Sequence, residues 1–349
     1  MRVVVVGASG NVGTSVVGAL AEDPAVTSIL GLARRRPYWS PPKTEWATAD
    51  IVRGDLEEHF RGADAVIHLA WLFQPTHDTM LTWENNVVGG TRVFRAAAAA
   101  GVPALLYASS VGAYSPGPQD RPVDESWPTD GWPAAGYTRE KAYLERVLDA
   151  IEREHPGMRV VRMRPGFIFK RESAAEQRRL FLGPLLPRRL VRPGLVPVVP
   201  DLPGLRFQAL HADDAAQAFR LALGRPVRGA FNLAADPVVD AAELARLLHA
   251  RTVRVPVRVV RAGLAAAWLA HLVPASPALL DAVLHLPVLD TSRARTELGW
   301  QPRRSASDAV GEFLEGLRDG AGMGTPPLSP ATSRWGRARE FATGVGSRP

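Results

Sequence analysis

Hydrophobic and polar positions follow two rhythms along this chain, and the first 165 residues switch between them repeatedly. "RVVVVG" (2–7) is an unbroken β-branched run, which predicts a strand buried on both faces. "NVGTSVVGALAED" (11–23) places apolar residues at helical spacing, and Pro24 ends it. Further strands are predicted at "SILGLA" (28–33), "EWATADI" (45–51), "ADAVIHLA" (63–70), "PALLYASS" (103–110) and "MRVVRMRP" (158–165). Helical patterns separate the later ones: "TWENNVVGGTRVFRAAAAAG", stopped by Gly101, and a stretch from Tyr137 to Arg153. This alternation predicts an α/β fold built on a Rossmann-type doubly wound parallel sheet.

After Pro165 the pattern loosens. Residues 170–205 are rich in Pro, Gly and Arg, while "LRFQALHADDAAQAFRLAL" reads as a strand entering a helix and "GAFNLAA" as another short strand. The expected organisation is a dinucleotide-binding core over 1–165 and a mixed α/β substrate-binding part over 166–319. Some strands and helices of that second part return to the core. A flexible tail is expected over 320–349, where Gly, Pro, Ser and Thr dominate.

Composition narrows the picture. Apolar residues at 46% and charged residues at 22% describe a globular protein with ample core, and no apolar run is long enough to span a membrane. The start reads directly as a strand, without the apolar stretch of a signal peptide. With no cysteine, disulfides, thiolate chemistry and the usual zinc ligands are excluded; no metal site is expected, and a cytoplasmic location is the default. The net charge of +7 invites a nucleic-acid reading, but residues 159–192 alone hold ten basic against two acidic side chains, and no nucleic-acid motif accompanies them. A solvated arginine-rich face or a site for an anionic substrate group fits better. The expected partner is a small-molecule substrate, and assembly into a homodimer is left open.

"GASGNVG" places Gly7, Gly10 and Gly13 between the first strand and its helix, with Ser9, Asn11 and Val12 among them. Such a turn lets backbone approach a pyrophosphate, and the helix N-terminus presents unpaired N–H groups to it. An NAD site ordinarily holds an acid about 20 residues further on. Here Ala33 is followed by Arg34, Arg35 and Arg36, with no acid between Asp23 and Glu45. A 2′-phosphate suits Arg34, so NADP is favoured over NAD.

Only three of the 42 basic residues are lysines: Lys43, Lys141 and Lys170. Lys141 lies four residues after Tyr137 in a predicted helix, so the two share a face one turn apart. An ammonium beside a phenol favours the phenolate and tunes it for acid–base work. Ser109 and Ser110 end a predicted central strand, where open α/β sheets bind ligands.

Together, the G-x-x-G-x-x-G turn, Ser110, and the Y-x-x-x-K of Tyr137 and Lys141 resemble the extended short-chain dehydrogenase/reductases, the NAD-dependent epimerase/dehydratase type. The likeness covers roughly residues 1–305. It implies a catalytic triad of Ser110, Tyr137 and Lys141, with Ser109 as the alternative serine. It also implies adenine contacts from Asp50 and Ile51, and nicotinamide-side contacts from Leu69, Ala70, Trp71, Ser109 and Pro165. Tyr137 and Lys141 would touch the cofactor too. Three departures stand out: Val6 replaces the usual Thr, Trp71 a usual small residue, and Asn86 sits five rather than four residues before Thr91. The implied activity is hydride transfer at a carbonyl or alcohol carbon, as net redox or within an epimerase or dehydratase. A redox-sensing, NADP-binding regulator is the alternative. For the substrate, Arg178, Arg179, Arg188, Arg189 and Arg192 suit a nucleotide-sugar phosphate, and the leucines and prolines around them suit an apolar alcohol equally well.

Overall fold

A computed structural model describes residues 1–72, 77–118, 120–177, 196–273 and 275–329. In the first half, strands β1 (Arg2–Val6), β2 (Ser28–Ala33), β3 (Thr44–Thr48), β4 (Ala65–His68), β5 (Ala104–Ala108) and β6 (Arg159–Pro165) alternate with helices. These are α1 (Asn11–Glu22), α2 (Glu57–Phe60), α3 (Thr79–Thr82), α4 (Gly89–Ala99) and α5 (Gly136–Glu154). The second half contributes β7 (Phe167–Phe169), β8 (Val198–Asp201), β9 (Arg206–Phe207), β10 (Ala209–His211), β11 (Gly229–Leu233), β12 (Val239–Asp240) and β13 (Arg251–Arg254). Its helices are α6 (Ala174–Gln177), α7 (Ala212–Leu223), α8 (Ala241–Leu248), α9 (Val257–Leu269), α10 (Pro277–Leu284), α11 (Ser292–Glu297) and α12 (Ala306–Asp319).

The central sheet has seven strands in the order β11-β6-β5-β4-β1-β2-β3, every pair parallel. The unbroken valines of β1 are explained by its central place. Val3 and Val5 enter one apolar layer with α1 and α7, while Val4 and Val6 enter the other with α4 and α5. Strand order reverses between β1 and β4, and a crevice opens at the carboxyl ends of strands there. From the second half, β11 completes the sheet and α7 packs on α1.

Two sequence expectations change in detail. The third strand stops at Thr48, because residues 51–54 turn back and Gly54 N–H bonds the Asp50 carbonyl. Residues 320–329, expected within a flexible tail, pack onto the body: Leu328 and Thr325 are buried, and Tyr38 N–H donates to the Gly324 carbonyl. An apolar leucine and a backbone bond hold them there. The remainder of the expected tail, and Arg178, Arg179, Arg188, Arg189 and Arg192, lie outside the described residues. Among the described residues, no helix is long and apolar enough to cross a membrane.

Candidate active site

The glycine turn is built by close packing. Gly7 has φ +86°, and a Cβ there would lie 2.5 Å from the Ala70 nitrogen. A Cβ on Gly13 would lie 2.2 Å from the Gly7 carbonyl oxygen, so α1 can sit against the turn only with glycine at this position. Gly10 is the N-cap of α1 and offers no side chain to its first N–H groups. Those groups face a cavity of about 640 Å³ lined by Gly7, Ser9, Gly10, Asn11, Val12 and Gly13. Asn11 donates from Nδ2 to the Ile168 carbonyl at 3.3 Å, while its Oδ1 is buried without a protein partner among the described residues.

The same cavity gathers nearly every residue singled out from the sequence. Arg34 and Arg35 line it just past β2 and are exposed. Ile51, Leu69, Ala70, Trp71, Ser109, Ser110, Tyr137, Lys141 and Pro165 line it too. Asp50 is the exception. Its carboxylate accepts the Val52 N–H at 2.8 Å, which turns the exposed side chain into its own bend and off the cavity wall.

Two adjacent serines have different duties. Ser109 donates to Glu145 Oε1 at 2.6 Å, behind the cavity wall. Ser110 shares a hydrogen bond with Tyr137 and accepts the Gly112 N–H at 3.0 Å. Gly112 makes room for the phenol, since a Cβ there would meet Tyr137 Cε1 at 2.8 Å. Ser110 therefore faces the candidate acid–base group and Ser109 does not.

Tyr137 and Lys141 occupy one face of α5, as their spacing predicts. Burial pushes the Tyr137 phenol up to about 12, against the Ser110 hydrogen bond that lowers it, with Glu140 adding to the rise. The phenol therefore stays protonated near neutrality, contrary to the expected tuning by Lys141. The ammonium is engaged elsewhere: Nζ donates to the Ala108 carbonyl at 2.7 Å and the Tyr107 hydroxyl at 3.3 Å. It also lies 3.6 Å from the centroid of the Trp71 ring, whose edge meets Tyr137 with centroids 5.7 Å apart. Burial brings Lys141 down to about 7, with Glu145 and Glu140 opposing the fall.

Sequence reasoning missed the groups that hold this helix. Glu145, fully buried, receives Ser109, Arg162 and Arg164. Burial pushes its carboxyl up, but Arg164 first, then Arg162 and Ser109, hold it down to about 2. Arg164 also donates to the Tyr114 hydroxyl at 2.9 Å, which in turn donates to Asn232. Two arginines at alternate positions of "RVVRMRP" inside a central strand were the available signal: such charges require buried partners.

Asn86 resolves its own anomaly. Residues Trp83–Val88 form a π-helical turn, which absorbs one extra residue before α4. Asn86 is thereby buried, accepting the Leu72 N–H at 2.7 Å and donating to the Leu72 carbonyl and to Glu140 at 2.8 Å. It ties the loop carrying Trp71 to the helix carrying Tyr137.

Comparison with known proteins gives a family and a fold. The model of the NAD dependent epimerase/dehydratase family matches residues 3–234. The uncharacterized protein Rv0501 of Mycobacterium tuberculosis is 26% identical over 378 residues, covering 99% of this chain and 91% of that protein. A 4-hydroxy-2-methyl-3-oxo-4-farnesyl-3,4-dihydroquinoline-1-oxide ketoreductase of Stigmatella aurantiaca is 29% identical over 181 residues, 50% of this chain and 52% of that one. Among solved structures, the Thermus thermophilus UDP-glucose 4-epimerase complex with NAD superposes with a TM-score of 0.68 at 19% identity, covering 91% of this chain and 99% of that one. The dTDP-glucose 4,6-dehydratase DesIV of Streptomyces venezuelae, with NAD and TYD bound, gives 0.68 at 20% identity, covering 91% and 97%. At these identities the superpositions establish the fold.

Proposed function

This chain belongs to the NAD-dependent epimerase/dehydratase family, and from that premise we propose that it is a nicotinamide-dependent oxidoreductase acting at a carbonyl or alcohol carbon. The observation that carries the reading is the Ser110–Tyr137 pair on the wall of a cavity that begins at the glycine turn. The residues present fit a dinucleotide. The uncapped N-terminus of α1 and the glycine backbone suit a diphosphate, and Asn11 Oδ1 is a buried acceptor still to be used. Lys141 would hold the ribose nearest the nicotinamide. A bound nicotinamide supplies the hydride chemistry.

Tyr137 is the proton donor in this proposal. A phenol held neutral by burial is poised to give its proton to a carbonyl oxygen as negative charge develops there. Ser110 would donate a hydrogen bond to the same oxygen and steady that charge. The half-length relative named as a ketoreductase favours carbonyl reduction over alcohol oxidation. Arg34 and Arg35, exposed at the end of β2 with the cavity beside them, favour NADP as the cofactor.

Tyr137→Phe tests the reading. The expected result is a loss of about 10²- to 10⁴-fold in kcat, with NADPH affinity retained in a fluorescence titration. A variant with unchanged turnover would sink the catalytic assignment, and a wild-type protein that binds neither NADPH nor NADH would sink the whole function.

A further inference from the structure

Past the Ser110–Tyr137 pair, the cavity is closed by α10, which packs against α5. Leu279, Ala282 and Val283 line it at i, i+3 and i+4 of α10, and Leu286, two residues past the helix end, continues that apolar wall. Phe167 and Phe207 line it as well, their rings meeting edge to face with centroids 5.1 Å apart. The charged side chains are distributed otherwise. Among the described residues, the cavity wall carries Arg34, Arg35, Lys141 and Glu176. The two arginines follow β2, Lys141 faces Trp71, and Glu176 belongs to α6. Its neighbour Gln177 bonds the Ile168 carbonyl that Asn11 also contacts, which puts this helix on the glycine-turn side. Arg206, beside Phe207, sends its guanidinium to the Pro118 carbonyl 2.9 Å away.

Among the described residues this end presents apolar side chains, and an anionic group would lose its water against them at a cost. An apolar body loses water there with nothing left unpaired. The geometry points to a bulky apolar ketone, and the corresponding secondary alcohol, as the substrate class of this cavity. This rests on the oxidoreductase reading above. The carbonyl carbon takes a hydride from reduced nicotinamide, and the oxygen takes the Tyr137 proton, which solvent replaces. The products are the alcohol and the oxidised cofactor.

The test is a homologous series of 2-alkanones, from 2-butanone to 2-undecanone, assayed with NADPH and NADH beside UDP-glucose. If the apolar wall is the substrate site, kcat/KM rises about threefold to fourfold per added methylene until the space is filled, and UDP-glucose is inert. Val283→Glu abolishes the slope while cofactor affinity stays within about twofold, and Val283→Ala lowers the response to 2-undecanone without introducing a charge. A flat series, or UDP-glucose handled more efficiently than 2-undecanone, overturns the substrate class. Calorimetric titration separates the two levels of the argument. Failure of both nicotinamides to bind defeats the oxidoreductase reading, while failure of 2-undecanone to bind a protein that does bind cofactor defeats the substrate class alone.

Discussion

At Lys141, burial and hydrogen bonding pull in opposite directions. Burial strips the ammonium of water and lowers it to about 7, while the carbonyl of Ala108 and the carboxylates of Glu145 and Glu140 favour the charged form. The direction gives a pH effect. The ammonium is present below about 7 and is lost as pH rises through that value, so its hold on an anionic cofactor weakens above it. The ratio of wild-type to Lys141→Met affinity for NADPH is expected to fall between pH 6 and pH 8, because titration of the cofactor's own phosphate cancels in that ratio. Titration of fluorescence at each pH decides this. Arg34 gives a second residue-scale prediction. Arg34→Ala should weaken NADPH binding by about 10- to 100-fold, the value of a charge-assisted hydrogen bond, and leave NADH almost unchanged. Equal weakening of both would remove the argument for a 2′-phosphate.

Helix α5 is the element on which the site depends, and its inner face carries an unusual load. Thr138, Glu140, Lys141 and Glu145 are all buried, so a helix that would ordinarily bury apolar side chains must satisfy charges instead. β6 supplies the answer through Arg162 and Arg164. Removing one charge from such a cluster leaves its partners uncompensated. Glu145→Gln is expected to destabilise the fold by about 3–5 kcal/mol, measured by denaturant unfolding at pH 7. Because the carboxyl is held down to about 2, its contribution is complete above the ordinary carboxylate range near 4.5 and disappears as pH falls toward 2. The difference between wild type and variant should therefore shrink in acid. A constant difference from pH 7 to pH 3 would contradict the ion-pair account.

Across the whole molecule, the two halves of the chain are joined through shared layers. β11 extends the sheet, α7 covers α1, and α12 packs on β10 and α6. Residues 320–329 close the described part against this body, with Pro326 and Pro327 on the cavity wall and Leu328 fully buried. Leu328→Ala should cost about 2–5 kcal/mol, visible as a lowered Tm with unchanged m-value. A cost under about 0.5 kcal/mol, typical of surface changes, would mean that this segment does not hold to the body in solution.

What the sequence determined by itself is what local chemistry can carry. A β-branched run must be buried on both faces, three glycines at that spacing allow one tight turn into a helix, and a tyrosine four residues before a lysine shares its helical face. Those rules delivered the sheet, the crevice and most of its lining. Tertiary structure decided the rest, because each remaining feature depends on atoms distant along the chain. Ser109 and Ser110 are indistinguishable in sequence until Glu145 claims one and Tyr137 the other. The displaced Asn86 regains its place only through a π-helical turn held by Leu72 and Glu140. Trp71 takes its position over Lys141 through a cation–ring contact between residues 70 positions apart. The apolar side chains of α10 reach one cavity wall with Phe167 and Phe207 only through the fold.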